Sequence, residues 1–166
     1  MSTGSKREVV CLDTNILIWG VKRQANPKQK HMIPRAQDLI HTLEKNRSQV
    51  IVPSLVLAEL LMPVDEADYG KFFAELNRKF MVVPFDGQAA FHFATLWKQH
   101  KKRQSEAPEQ NKPTRAKMKT DFMIVATAIS READCIYSSD TDVKNFAKGS
   151  LEVRELPVTF TQGRLI

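Results

Sequence analysis

Short apolar runs alternate with helical patterns along nearly the whole chain, and this alternation restricts the fold more than any other feature. "VVCL", Val9–Leu12, reads as a buried strand, and a helix starts directly after it at Thr14. From Pro34, a residue suited to a first helical turn, Ala36, Leu39, Ile40 and Leu43 recur at helical spacing. "QVIVPS" is a second short strand stopped by Pro53, with Ser54 placed to cap the helix "LVLAELLM". Tyr69, Phe72, Phe73, Leu76 and Phe80 mark an amphipathic helix, and "KFMVVPFD" is a third strand. Asp86 caps a helix carrying Ala90, Phe93, Ala94 and Trp97, and a further helix runs from Asp121 to Arg131. "DCIYSSD" is a fourth strand with its exit, and "LEVREL" a fifth. Units of this kind predict an α/β fold whose parallel sheet is covered by helices on both faces. The first and fourth strands are expected to be neighbours, which brings Cys11 and Cys135 into one region of the sheet.

The chain has 166 residues, enough for one core and short for two. It is expected to form a single domain over 1–166, with 1–7 flexible and 157–166 a tail without a recognisable motif. No apolar run approaches the roughly 20 residues of a membrane span, and the polar start "MSTGSKRE" lacks a signal-peptide core. The expected setting is the cytoplasm. The cysteines, each inside an apolar run, suit reduced thiols. His31, His41, His92 and His100 share no metal-ligand spacing.

The net charge of +6 is concentrated. Lys98 to Lys119 carries eight bases against two acids, a surplus equal to that of the whole chain. Pro108, Pro113 and polar neighbours make the middle of this segment a loop, taken as 101–118. Lys101, Lys102, Arg103, Arg115, Lys117 and Lys119 then suit a polyanionic partner, the alternative being a solvated insertion.

Carboxylates carry the chemistry. In an open parallel sheet, ligands bind beyond the carboxyl ends of the strands. Asp13 follows the first strand and Asp140 the fourth, so both reach the same rim. Glu59 is the one charge in the apolar helix "SLVLAELLM" and is expected to point into protein. Asp121 opens the helix "DFMIVATAIS", where the helix dipole alone is reason enough for an acid. Asp142 is a turn residue or a peripheral ligand. Clustered carboxylates raise one another's pKa. A hard divalent cation, Mg²⁺ or Mn²⁺, removes that conflict, and such an ion can activate water against a phosphodiester.

The ordered set "LDTNILI", "VPSLVLAEL", "KTDFMIVATAI" and "IYSSDTDVKNF" resembles the PIN-domain nucleases over Val9 to about Phe146. The resemblance implies a three-layer α/β/α sandwich and an Mg²⁺- or Mn²⁺-dependent endonuclease acting on RNA. It implies an acidic site of Asp13, Glu59, Asp121 and Asp140, with Asp142 as a fifth member and Asn15 and Ser138 as polar support. In size the chain looks most like the VapC-type toxins of toxin–antitoxin pairs, which implies a small antitoxin partner and a homodimer. The long basic loop and the tail depart from that narrower pattern.

Rival readings fare less well. A haloacid-dehalogenase phosphatase needs a second aspartate where Asn15 stands. A receiver domain needs a paired aspartate near the first strand and a lysine after the last, and neither is found. A non-catalytic PIN-like module, binding RNA or acting as a scaffold, would be marked by lost acids, and all four are present.

Overall fold

The computed structural model describes residues 4–104 and 115–158. A five-stranded, wholly parallel sheet runs in the order β3-β2-β1-β4-β5. The strands are β1 (Val9–Leu12), β2 (Gln49–Pro53), β3 (Met81–Val83), β4 (Cys135–Tyr137) and β5 (Glu152–Arg154). The seven helices among the described residues are α1 (Thr14–Gly20), α2 (Met32–Lys45), α3 (Ser54–Leu61), α4 (Tyr69–Lys79), α5 (Gly87–Gln104), α6 (Arg115–Ser130) and α7 (Thr141–Ala147). Together they make the three-layer α/β/α sandwich expected for the chain.

The chain lays down β1, β2 and β3 outward on one side, then returns to place β4 and β5 on the other. The strand order therefore reverses between β1 and β4, where ligands bind in open α/β sheets. Cys11 pairs with Ile136 and Val10 with Cys135 across that junction. Both cysteines are buried free thiols on neighbouring strands, as expected.

Burial explains the apolar runs. Val10, Cys11 and Leu12 have no exposed surface, because the central strand is covered on both faces. Helix α6 is buried almost continuously from Asp121 to Ala128, as a helix packed on most sides must be. Its neighbours include α5, α7 and α3. Phe122 stacks on Phe146 of α7 at 4.2 Å between centroids and meets Trp97 of α5 edge-on at 5.6 Å. Gly20 ends α1 against α2, where a Cβ would lie 2.5 Å from Ile40 Cδ1 and 3.3 Å from Ala36 Cβ. Glycine permits that approach.

Several boundaries differ from expectation. Ser54 does not cap α3: it is the first helical residue, Pro53 holds the cap position, and no side chain bonds the free amides there. Asp86 does cap its helix, accepting from the Ala89 amide at 3.0 Å. Within α4 only Leu76 is buried, while Tyr69 and Phe73 are exposed, because α4 lies by the edge strand β3.

The segment 101–118 is not a loop throughout. Lys101–Gln104 is the end of α5 and Arg115 begins α6. Packing of Trp97 and His100 on Phe122 carries both helices past the expected ends. Residues 105–114, the centre of the expected loop, lie outside the described residues, as do 1–3 and most of the tail, 159–166. The start of the tail is tied down: Arg35 of α2 donates to the carbonyls of Leu156 and Pro157. At the other end Arg7 donates to the Arg47 carbonyl.

Candidate active site

The rim beyond β1 and β4 is assembled by the backbone first. The Asp13 amide donates to the Tyr137 carbonyl at 3.1 Å, prolonging the β1–β4 pairing by one residue. The Ser138 amide donates to the Arg154 carbonyl at 3.1 Å, tying β4 to β5. Asp13 and Ser138 are thus fixed side by side, and the Ser138 hydroxyl donates to Asp13 Oδ2 at 2.6 Å.

Asp13 caps α1 with its other oxygen, Oδ1 accepting from the Thr14 amide at 2.8 Å. That local role accounts for its position at the strand exit but not for its burial, with 6% exposed. Burial raises its pKa; the bonds from Ser138 and Thr14 oppose the shift, and the charges of Glu59 and Asp140 add to it.

Asp140 has the same double character. It caps α7, Oδ1 accepting from the Asp142 amide at 2.8 Å, and its own amide donates to Ser138 Oγ at 3.1 Å. Ser138 therefore joins the two acids, its hydroxyl donating to Asp13 and accepting from the amide of Asp140. Glu59, half-buried on α3, accepts a hydrogen bond from the Thr14 hydroxyl. The sequence carries no signal for that role of Thr14. Asn15 is exposed on α1.

Asp121 does not open its helix. Helix α6 begins at Arg115, so Asp121 lies in the second turn, and a first-turn dipole role does not account for it. It is buried, and its Oδ2 has no hydrogen-bond partner among the described residues. Burial, then the charges of Asp140 and Asp13, push its pKa to about 7, with Lys117 opposing and Glu59 adding to the rise.

Asp121, Asp140 and Asp142 each offer a ligand oxygen, all within 4.8 Å of one another. Asp13 and Glu59 are outside this trio yet close enough to act on Asp121 electrostatically. Asp142 is thus more central than its expected peripheral place. A buried carboxylate oxygen without a donor, beside two more carboxylates, fits a hard divalent cation. The rim is open. A cavity of about 600 Å³ elsewhere, bounded by Glu8, Arg35, Asp38, Thr42 and Tyr137, shares none of these acids.

The bases divide. Lys117 faces the acids, 3.2 Å from Asp140 Oδ2 and 3.4 Å from Asp142 Oδ2. Its spacing of four from Asp121 on one helix face is a signal the sequence does carry. Arg103 donates to the Asn145 carbonyl of α7 at 3.3 Å, and the Lys101 ammonium lies 5.6 Å from the Trp97 ring centroid. Lys102, Arg115 and Lys119 lie toward the facing ends of α5 and α6, and all three are exposed.

The PIN-domain family model matches residues 10–149. This chain belongs to the PIN-domain family. The PIN domain is a nuclease family, and Asp13, Glu59, Asp121, Asp140 and Asp142 all lie inside the match. No curated protein matches the chain. Among solved structures, the PIN fold here resembles VapBC2 from Rickettsia felis bound to a promoter DNA fragment, at 16% identity and a TM-score of 0.61. That alignment covers 90% of this chain and 99% of the other. VapBC-1 from nontypeable Haemophilus influenzae aligns at 17% identity and a TM-score of 0.60, covering 89% and 98%. A toxin–antitoxin complex from Klebsiella pneumoniae aligns at 16% and 0.58, covering 90% and 99%. At such identities the likeness is one of fold. No helix among the described residues is long and apolar enough to cross a membrane.

Proposed function

We propose that this PIN domain is a divalent-metal-dependent endoribonuclease, the VapC-type toxin of a toxin–antitoxin pair. The observation that carries the reading is the trio Asp121, Asp140 and Asp142, with ligand oxygens within 4.8 Å of one another, together with a buried Asp121 Oδ2 that has no hydrogen-bond partner among the described residues. Those three residues would hold Mg²⁺ or Mn²⁺. When bound, the ion supplies an activated water and stabilises charge on the phosphodiester.

The remaining residues position and bind. Ser138 holds Asp13 and Asp140 in fixed relation across the β1–β4 junction. Thr14 restrains Glu59, so two further carboxylates maintain the negative potential that favours a cation. Asn15, exposed on α1 two residues after Asp13, would contact water or phosphate. The bases at the ends of α5 and α6 receive the RNA backbone through charge, which sets affinity and not sequence.

The likeness to structures described as VapBC and toxin–antitoxin complexes supports an antitoxin protein as partner. A homodimer in the cytoplasm is the working form that this reading carries with it. A gene for a small DNA-binding protein next to this one would identify that partner.

The deciding experiment incubates purified protein with single-stranded RNA in Mg²⁺ or Mn²⁺, with and without EDTA. Cleavage should appear with either metal and stop with chelator. RNA binding without cleavage would favour the non-catalytic module, and cleavage undiminished by EDTA would end the metal reading.

A further inference from the structure

Lys117 lies on α6, one helical turn before Asp121. Its ammonium is within salt-bridge distance of Asp140 and Asp142, two of the three clustered carboxylates. The third, Asp121, keeps a buried oxygen without a hydrogen-bond partner among the described residues. A cation therefore already sits at the mouth of a site whose acids would otherwise only repel one another. Helix stability does not explain a lysine there, since the positive end of the dipole disfavours bases in a first turn. The acids explain it.

We propose that Lys117 is an internal counter-ion of the metal centre, which holds Asp140 and Asp142 in the metal-free protein and withdraws when a divalent cation enters. The inference rests on the metal reading of the site given above. An ammonium is a compact point charge on a flexible stem. It can bridge two carboxylates, but its single charge offsets only one of them, so a divalent ion outcompetes it. Withdrawal needs no backbone movement, because the side chain is 52% exposed and its stem can carry the charge into solvent. Lys117 thereby sets the metal concentration at which the site fills.

The test is calorimetric titration of Mn²⁺ into metal-free protein without RNA, for the parent, Lys117→Met and Lys117→Arg. The Met variant should bind Mn²⁺ about five- to tenfold more tightly, the gain available from removing one or two partly exposed ion pairs. Its metal-free form should melt slightly lower, because the acids lose their counter-ion. The Arg variant should keep the affinity of the parent. Equal or weaker binding by the Met variant would overturn the counter-ion role and leave the metal centre standing. Tight binding by the Arg variant, matching Met, would overturn it too, since charge would not be what competes. No Mn²⁺ binding by the parent or the Met variant would remove the metal centre itself. Melting curves with added Mn²⁺ give a second measure, which does not depend on catalysis.

Discussion

Asp121 shows how one side chain is made unstable in order to be useful. In the metal-free protein its pKa of about 7 stands above the 3.8 of an ordinary aspartate, chiefly through burial. The folded chain thus binds an extra proton between those values, so stability falls as pH rises from about 4 toward 7 and is restored below about 4. Asp121→Asn removes the titration. The metal-free variant should be more stable than the parent at pH 8, by about 1–3 kcal/mol, and the two should converge near pH 4. Urea unfolding at both pH values measures this, and a variant less stable than the parent at pH 8 would contradict it. Mn²⁺ should stabilise the parent and have little effect on the variant. Asp13, buried beside it, keeps two donors that Asp121 lacks, so the same substitution there removes bonds as well as charge.

At the scale of elements, α6 is the piece with divided loyalties. Its C-terminal part is core, whereas its first turn carries Arg115 and Lys117 and no acid. Bases at a helix N-terminus oppose the dipole, by about 0.3–1 kcal/mol each where exposed. Lys117 is offset by the acids it pairs with, whereas Arg115 is a cost to α6 that binding of a polyanion would offset. Arg115→Glu should accordingly leave the melting temperature unchanged or slightly raised while weakening RNA binding. The slope of log affinity against log salt should become shallower by roughly 0.7 for each single-strand phosphate that the variant no longer neutralises. An unchanged slope would make Arg115 a bystander. The position of Lys102 and Lys119 toward the same helix ends extends the test to them.

For the whole molecule, the sheet and its helices form a shield around the two thiols. Cys11 and Cys135 are both fully buried in the core. Burial raises the Cys11 thiol well above its ordinary pKa and pushes Cys135 up to about 11. Neither presents a thiolate near neutral pH. Alkylating reagent should leave both unmodified in the native protein and label both in denaturant, as read by mass spectrometry. Labelling under native conditions would mean that the β1–β4 region opens far more readily than its packing implies. Reductant should leave the melting temperature where it is, since neither cysteine is in a disulfide.

Much of this was legible in the residues alone. Alternating apolar runs and helical periods determine a parallel α/β sheet, because strands covered on both faces must be apolar throughout. The positions of Asp13 and Asp140 after their strands place them on one rim, because parallel strands all end at the same edge of the sheet. Other features depended on packing between segments distant in sequence. Helices α5 and α6 extend into the basic segment because Trp97 and His100 pack on Phe122, and local composition pointed to a loop. That extension moves Asp121 from the expected helix start into the second turn, where it is buried. Asp142 of α7 joins the trio beside Asp121 of α6, and Thr14 reaches Glu59 across 45 residues of chain. Sequence patterning records which side of an element is covered, but side-chain partners are chosen by packing between elements, and that is decided in three dimensions.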